Sequence, residues 1–391
     1  MKRVTRILID GFPLAEDHFS GIGHYMQGIV LELDKLAGQM DDIEVSVVVS
    51  ARRADRLQKY NFQNIKIRKY WIPHRLFRRL LVKGWIKIPM DYFFGRGVYF
   101  SGDFITWPLT RRSGAITTVH DISFEKVRQF VDPVNAAFLS AAVKESIAQA
   151  DYVATVTKTM RNEIADFYDV PKQKIIVTYN AADLTKFYKR SEEEIADVKR
   201  SYGIYGDYIL CLGNIEPRKN QIGLLKAFMQ LPRSITDKYT MVFVGNGGWL
   251  NDEIKATVAK AVKDNYKVQI IQGKVTDKDL PAVISGAHLL GYASFYEGFG
   301  MPIVEAMACQ VPVAVSGNSV MPEVAGDAAI LFDPHDIDDI TKGLKKAFDM
   351  TAKEREVTIA KGLQRAHFYN WNDVARELIE YCKKADKKEL N

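Results

Sequence analysis

The hydrophobic residues of this chain fall into short apolar runs that alternate with longer stretches of helical periodicity. Short apolar runs bounded by turn residues predict buried strands, and apolar positions spaced three or four residues apart predict amphipathic helices. The first half of the chain therefore contains predicted helices at 22–36 and 134–149. Its predicted strands cover residues 6–10, 44–50, 65–70, 115–119, 152–156 and 174–178.

The same alternation restarts after residues 180–190, a polar stretch without periodicity. A helix is predicted at 192–202, and helical patterns separate most of the strands that follow it. These strands are predicted at 208–212, 240–244, 268–271, 288–292 and 311–315. Strands alternating with helices form parallel sheets covered on both faces. The pattern thus predicts an α/β chain with two doubly wound domains of similar size.

Composition narrows the class of protein. The 391 residues are 47% apolar, which is enough for two cores of ordinary size. The three cysteines show no paired spacing, and this indicates a reducing compartment. No apolar stretch approaches the length of a membrane span, and the first apolar run, ending at Asp10, is too short for a signal core. We expect a soluble or peripheral protein.

The net charge of +6 is unevenly distributed. The segment Lys66–Arg96 holds nine basic residues and one acid, Asp91, with aromatic and aliphatic residues between them. This composition is typical of a segment that lies on an anionic bilayer. A helix packed within its own domain, with long cationic side chains reaching solvent, fits nearly as well. A nucleic-acid patch is the least favoured of the three interpretations.

The most distinctive stretch is Glu297–Cys309, which follows a predicted strand and leads through a glycine-bearing turn into a predicted helix. Such a turn directs backbone N–H groups at an anion. Glu297 and Glu305 bracket it, and since carboxylates do not bind phosphate, sugar or ribose hydroxyls are the expected partners. The alternative is a capped surface helix with solvated acids.

Three other turns follow predicted strands. Arg218 and Lys219 precede a helix start, where two cations are unfavourable unless an anion is present, so this turn predicts a diphosphate site. His120, before Asp121, could contact a ligand hydroxyl, or the pair could be a structural histidine and a helix cap. The glycines Gly21 and Gly23 precede the first long helix and are weak evidence alone.

Taken in order, these motifs resemble the family 4 retaining glycosyltransferases, whose GT-B fold has two Rossmann-like domains facing a central cleft. Further matching pieces are Gly273–Val275, Pro322–Asp327 and Leu331–Pro334. Within the family the chain resembles bacterial mannosyl-, rhamnosyl- and glucosyltransferases of surface polysaccharide and lipopolysaccharide assembly. The resemblance implies an acceptor-binding domain at 1–185, a donor-binding domain at 186–366 and a helix at 367–391 that returns to the first domain.

The resemblance also implies residue roles. Arg218 and Lys219 would hold the donor diphosphate, Glu305 the ribose and Glu297 the donor sugar, with His120 beside that sugar. The remaining donor-binding positions would be Gly21, Gly23, Asn220, Val275, Gly298, Phe299, Gly300 and Met301. Two positions depart from the family pattern, since Gln310 and Ala181 stand where glycine is usual. Gln310 would accept a positive φ at a cost of about 1 kcal/mol, and Ala181 puts the geometry of the interdomain joint in question.

The implied reaction is retaining transfer of a hexose from a nucleoside diphosphate sugar to a glycan or polyprenyl-linked acceptor. It requires no cofactor and no metal, since two cations already face the leaving group. The single Asp-x-Asp sequence, Asp336–Asp338, is expected to cap a helix. GDP-mannose is the favoured donor, with UDP-glucose and dTDP-rhamnose close behind. The expected location is the cytoplasm or the inner face of the plasma membrane.

Two other functions stay open. A sugar-nucleotide 2-epimerase would share the architecture, but it needs acid and base carboxylates that the first half does not offer. A non-catalytic membrane- or nucleic-acid-binding protein would depend on the Lys66–Arg96 segment alone. No nucleic-acid partner is expected, and the sequence does not indicate an oligomeric state.

Overall fold

The computed structural model describes residues 3–16, 21–73, 88–247, 252–273 and 275–386. Parts of three predicted features, at residues 19–20, 74–87 and 274, lie outside these ranges. The chain divides into two compact units. Unit 1 comprises Met1–Asn180 and Asn370–Asn391, and unit 2 comprises Ala181–Tyr369. The divisions thus fall at 180 and 369, where the sequence suggested 185 and 366.

Unit 1 is built on a parallel sheet of strand order β3-β2-β1-β4-β5-β6-β7. The strands are β1 (Thr5–Asp10), β2 (Ile43–Ser50), β3 (Lys66–Tyr70), β4 (Val98–Ser101), β5 (Gly114–Thr118), β6 (Tyr152–Thr155) and β7 (Ile175–Val177). β4, which the sequence pattern missed, pairs with β1 and with β5 and so lies at the centre of the sheet. All four of its residues are buried.

Helices of unit 1 include one that comes from the far end of the chain. They are α1 (Gly21–Ala37), α2 (Asp91–Phe94), α3 (Ser123–Lys126), α4 (Pro133–Gln149), α5 (Lys158–Tyr168) and, last in the chain, Trp371–Asp386. The last of these packs on α1 so closely that a Cβ on Gly28 would lie 2.2 Å from the Trp371 ring. A salt bridge of 2.9 Å from Lys383 to Asp42 secures its other end. A 3-10 helix covers Ala51–Tyr60.

Unit 2 has a second parallel sheet, of strand order β10-β9-β8-β11-β12-β13. The strands are β8 (Asp207–Leu212), β9 (Tyr239–Gly245), β10 (Val268–Gln272), β11 (Leu289–Tyr292), β12 (Val313–Ser316) and β13 (Ala329–Phe332). The helices are α6 (Glu192–Tyr202), α7 (Gln221–Gln230), α8 (Arg233–Thr236), α9 (Asp252–Lys263), α10 (Leu280–Ser285), α11 (Met301–Ala308), α12 (Met321–Ala325), α13 (Ile337–Phe348) and α14 (Ala352–Phe368). Trp371–Asp386 is then α15. The predicted α/β class with two doubly wound sheets is confirmed.

Capping residues mark the first turns of several helices. Ser191 and Glu194 form a capping box at α6, in which the side chain of each residue accepts a hydrogen bond from the backbone N–H of the other. The Asp336 carboxylate accepts hydrogen bonds from the backbone N–H groups of Asp338 and Asp339, so the predicted cap of α13 is confirmed. All three cysteines are buried, free thiols. Within the described ranges, no helix combines the length and hydropathy needed to cross a membrane.

Candidate active site

The carboxyl ends of β8 and β9 converge in unit 2 and leave a small pocket beyond them. A Cβ on Gly245 would lie 2.0 Å from the carbonyl oxygen of Gly213, so only glycine permits this approach. The pocket has a volume of about 150 Å³, and Gly273 and Val275 from the end of β10 line it together with Gly213 and Gly245. Ligands of doubly wound sheets bind at this edge. Val275, predicted to contact the base, therefore lies where a ligand of the sheet would be expected.

The turn that carries Arg218 and Lys219 is held by the residue after it. Pro217–Lys219 is a 3-10 turn, and Asn220 has a left-handed backbone conformation with φ 51°. The Asn220 side chain accepts a hydrogen bond from Gly223 N (3.2 Å) and donates one to Pro334 O (2.9 Å). The Asn220 amide thus caps α7 and anchors the turn. The charged groups of the turn are Arg218 and Lys219.

Those cations meet a carboxylate of the chain itself. Lys219 Nζ donates to Glu297 Oε1 at 2.5 Å, and Arg218 Nη1 donates to Glu297 Oε2 at 3.1 Å. Arg218 also donates to Glu216 Oε1 (2.9 Å). Tyr292, the last residue of β11, donates to Glu297 Oε1 at 2.8 Å. Glu297 and Glu216 thus already supply negative charge to this helix start, so the two cations do not by themselves require a bound diphosphate, and the diphosphate site stays a prediction.

Glu297 is ionised because its neighbours outweigh its burial. Only 6% of the residue is exposed, and burial alone raises the pKa of a carboxyl group. The charges of Lys219 and Arg218, with the hydrogen bonds from Lys219 and Tyr292, overcome that effect and lower the pKa of Glu297 from 4.5 to about 2. The Glu297 carboxylate that faces Arg218 and Lys219 is therefore ionised across the physiological pH range.

The start of α11 follows immediately. Gly300 has φ 91°, a conformation that glycine adopts without strain, and Met301 and Pro302 begin the helix. Gly298 is buried, and the Phe299 ring packs edge-on against Tyr369 at 5.3 Å between centroids. The Phe299 side chain is thus part of the packing of unit 2.

Glu305 lies on α11 in a different electrostatic setting. It is partly buried, and no neighbouring cation lowers the pKa of its carboxyl group. Burial, with a smaller contribution from the negative charge of Asp277, raises the pKa of Glu305 from 4.5 to about 7. Asp277 follows Val275 by two residues, so this influence connects Glu305 with the loop after β10.

The predicted residues of unit 1 have their own arrangement. His120 Nε2 lies 2.9 Å from the Gly102 carbonyl oxygen, and the ring packs edge-on against Tyr25 at 4.9 Å. Burial lowers the pKa of His120, although the Gly102 hydrogen bond opposes this. A neutral ring that donates from Nε2 has its lone pair on Nδ1. The Asp121 carboxylate accepts from Ser123 N at 2.9 Å, so this acid stabilises the local turn.

Gly21 and Gly23 lie within the first turn of α1. Neither has a positive φ, and a Cβ on Gly21 would meet no atom within 4 Å. The described part of the predicted glycine loop is therefore helical. A side chain at position 21 would meet no steric clash, so packing within unit 1 does not require Gly21 to be glycine.

The two departures from the family pattern have different consequences. Gln310 has φ 61° after the end of α11, so it does adopt the positive φ that glycine would accommodate without cost. Ala181 is buried and does not have a positive φ. Glycine is therefore not required by the backbone at Ala181.

Sequence reasoning missed Tyr292, which contacts both Lys219 and Glu297. It ends the predicted strand 288–292, and an apolar run gives no signal for the partner of a tyrosine hydroxyl. The structure thus brings Arg218, Lys219, Glu297 and Tyr292 into one cluster. Asn220 supports that cluster from the fold.

Comparison with known proteins identifies the family. Residues 19–186 match the family described as Glycosyltransferase Family 4, and residues 171–365 match Glycosyl transferases group 1. The chain is 33% identical over 274 residues to O-antigen chain mannosyltransferase B of Escherichia coli, covering 70% of this chain and 71% of that protein. It is 28% identical over 268 residues to the serotype-specific mannosyltransferase WbdA of Escherichia coli, where the match spans 68% of this chain but 33% of that longer protein.

A solved structure supports the fold. Sucrose-phosphate synthase from Thermosynechococcus elongatus superposes with a TM-score of 0.72 at 16% identity, over 98% of this chain and 99% of that one. The family matches and the mannosyltransferase relative together show that this chain belongs to the family 4 glycosyltransferases, with the GT-B fold.

Proposed function

We propose that this glycosyltransferase moves a mannose residue from GDP-mannose to a glycan or lipid-linked glycan, with retention of the anomeric configuration and without a metal ion. The observation that carries the proposal is the cluster in which Arg218 and Lys219 meet Glu297 at the carboxyl ends of the unit 2 strands. Fixed cations at this edge suit a diphosphate, and a fixed carboxylate beside them suits sugar hydroxyls.

The chemistry follows from where charge develops. As the glycosidic carbon leaves the nucleotide, the diphosphate gains negative charge, and Arg218 and Lys219 stabilise it most strongly in the transition state. Glu297 then binds hydroxyls of the donor sugar, and the backbone from Gly298 to Met301 surrounds the sugar and phosphate. The acceptor hydroxyl oxygen bonds to the anomeric carbon on the face from which the diphosphate departs, so the configuration is retained, and the leaving phosphate accepts the hydroxyl proton.

The nucleoside is bound by the other end of the site. Glu305 accepts hydrogen bonds from the ribose hydroxyls, and the main chain at Val275 contacts the base. For unit 1, the family resemblance assigns His120 to the donor sugar and Gly21 and Gly23 to the phosphates. These assignments extend the family resemblance to the residues of this chain.

Mannose is supported by the relatives named as mannosyltransferases, and GDP-mannose is the donor that the family resemblance favours. A structural neighbour crystallised with UDP-glucose makes that donor the main alternative. We would measure thermal shifts of the purified protein with GDP-mannose, UDP-glucose and dTDP-rhamnose, because a bound donor raises the melting temperature. GDP-mannose should give the largest rise, and Lys219→Met should abolish it. A larger rise with another donor would overturn the choice of donor.

Contact with an anionic membrane surface is the second part of the proposal. The described residues of the Lys66–Arg96 segment expose large apolar side chains: Trp71 is 86% exposed, Tyr92 72% and Phe93 67%. Arg68 donates to the Phe94 carbonyl oxygen (2.9 Å), so the end of α2 lies next to β3. Exposed aromatic side chains near cations suit the headgroup region of a bilayer.

Vesicle flotation tests this contact. The protein should float with vesicles containing anionic phosphatidylglycerol and should stay in the dense fraction with neutral phosphatidylcholine vesicles. Trp71→Ala with Phe93→Ala should reduce flotation, whereas Tyr205→Ala, which removes an aromatic residue that is 82% exposed in unit 2, should not. Equal behaviour with both vesicle types would contradict an electrostatic membrane contact.

A further inference from the structure

We infer that Tyr292 is a positioning residue that holds Lys219 and Glu297 at the geometry needed for transfer. This inference rests on the proposed function, since it assigns a role within the same site. The Tyr292 hydroxyl lies 2.7 Å from Lys219 Nζ and 2.8 Å from Glu297 Oε1. With the Lys219–Glu297 contact of 2.5 Å, the three side chains close a triangle of hydrogen bonds.

The scaffold of this triangle is rigid. Tyr292 is 1% exposed and ends β11, which pairs with β8 on one side and β12 on the other. Its ring also lies beneath the ammonium group, with Lys219 Nζ 5.2 Å from the ring centroid. A tyrosine fixed by a central strand therefore restrains a long lysine side chain through both its ring and its hydroxyl.

The hydroxyl must be protonated to serve both partners, because it accepts from Lys219 while donating to Glu297. Burial and the negative charge of Glu297 raise the pKa of Tyr292 well above its usual value, so the phenol keeps its proton. Phenylalanine would retain the ring and lose both hydrogen bonds. The substitution Tyr292→Phe thus isolates the hydroxyl.

Donor binding makes this role necessary. Lys219 and Glu297 bind each other in the present structure, but under the proposed function they act on different parts of the donor, the diphosphate and the sugar. When the direct contact between Lys219 and Glu297 weakens, the Tyr292 hydroxyl can still bind both side chains. Misplacement of either group should lower the rate of transfer more than it weakens donor binding, since Lys219 acts most strongly on charge that grows in the transition state.

The experiment compares Tyr292→Phe with Tyr208→Phe. Tyr208 is also a fully buried tyrosine of unit 2, on β8, and its hydroxyl donates to the Val283 carbonyl oxygen away from the cluster. Steady-state kinetics with the donor should show kcat reduced about ten- to a hundredfold in Tyr292→Phe, with KM changed less than about threefold. Tyr208→Phe should lower the melting temperature and leave kcat unchanged. Equal kcat losses in the two variants, or none in Tyr292→Phe, would overturn the inference.

A double variant tests whether Tyr292 acts through Lys219. The probe is the affinity for GDP and UDP, measured by calorimetry in Lys219→Met, Tyr292→Phe and the combined variant. In steady-state assays of the same variants we expect the kcat of the combined variant to be no lower than that of Lys219→Met, whereas multiplied losses of kcat would show that Tyr292 acts independently of Lys219. If Lys219→Met binds both nucleotides as the wild type does, the proposed function itself fails. If Lys219→Met loses binding and Tyr292→Phe keeps wild-type kcat, the positioning role alone fails.

Discussion

The two glutamates of the 297–305 segment have the same side chain and opposite electrostatic surroundings. Glu297 follows β11, where Arg218 and Lys219 hold its carboxylate and bring its pKa to about 2. Glu305 lies on α11, where burial and Asp277 bring its pKa to about 7. The difference arises from β8, since the turn after that strand delivers both cations to the first position and not to the second.

The comparison assigns the two acids different tasks under the proposed function. A carboxylate that is always charged can hold sugar hydroxyls while its cations neutralise a phosphate. A carboxyl group that titrates near neutrality exchanges its proton when hydroxyls bind to it. The following predictions test this division, beginning with the largest effect.

Replacing each acid by its amide should separate their contributions to activity. Glu297→Gln removes the charge that balances Arg218 and Lys219, and we expect kcat/KM to fall about 10²- to 10³-fold. Glu305→Gln keeps a hydroxyl acceptor, and we expect a loss of about tenfold. The exposed Glu356→Gln serves as the matched control and should retain wild-type activity. Steady-state assays decide the order, and a larger loss in Glu305→Gln would reverse the comparison.

The pH dependence of stability should have opposite signs at the two positions. The pKa of Glu297 is depressed below 4.5, so its stabilising contribution is present above pH 4.5 and is lost as the pH falls towards 2. The pKa of Glu305 is raised, so the wild type loses stability as the pH rises from 4.5 through 7. Each effect should be on the order of 1–3 kcal/mol.

Melting curves over pH 3–8 can measure both contributions. The melting temperature of Glu297→Gln should lie furthest below that of the wild type at neutral pH and approach it in acid. That of Glu305→Gln should rise relative to the wild type between about pH 5 and pH 8. Parallel curves for all three proteins would contradict the assigned charge states.

Donor binding should release protons through Glu305. Hydroxyls that donate to the carboxylate stabilise its ionised form, so the pKa of Glu305 should fall from about 7 when the donor binds. Calorimetry near pH 7, in buffers of different ionisation enthalpy, should detect release of about half a proton per donor. Glu305→Gln should show none, and Glu297→Gln should release as much as the wild type.

The smallest effect should come from the backbone after α11. Gln310→Gly relieves the positive φ of 61° but adds flexibility to the unfolded chain, so we expect a net stabilisation of about 0.5–1 kcal/mol. The melting temperature should rise slightly, with kcat and the titration of Glu305 unchanged. A change in the pKa of Glu305 would mean that the backbone conformation of the segment, and not only the neighbouring charges, sets the pKa difference between the two acids.

Sequence patterns predicted most strands and the family, because both depend on local signals. β4 and β13 were missed, although strands as short as β6 and β12 were predicted. β4 closely follows the aromatic-rich segment Lys66–Arg96, so its apolar residues do not stand out as a separate run. The three contacts of Glu297 were also beyond prediction. Two of them, with Arg218 and Lys219, join the turns that follow β8 and β11, strands that neighbour each other in the sheet although some 80 residues of sequence separate the contacting side chains.

Tyr292 shows a further limit of sequence reasoning. An apolar run that ends in tyrosine predicts a buried strand, and the strand is there. Whether its hydroxyl meets a core carbonyl group, as in Tyr208, or a pair of charged groups depends on the neighbouring strands. The burial of a tyrosine is therefore predictable from sequence, and the partner of its hydroxyl is not.

The contact between Gly28 and Trp371 has a consequence for synthesis of the protein. α15 packs on α1, yet the whole of unit 2 is translated between them. Unit 2 can complete its sheet while the ribosome is still adding residues, but unit 1 lacks one of its helices until α15 emerges. In a nascent chain stalled before Trp371, unit 2 should therefore resist protease, whereas the surface around Gly28 should be cleaved.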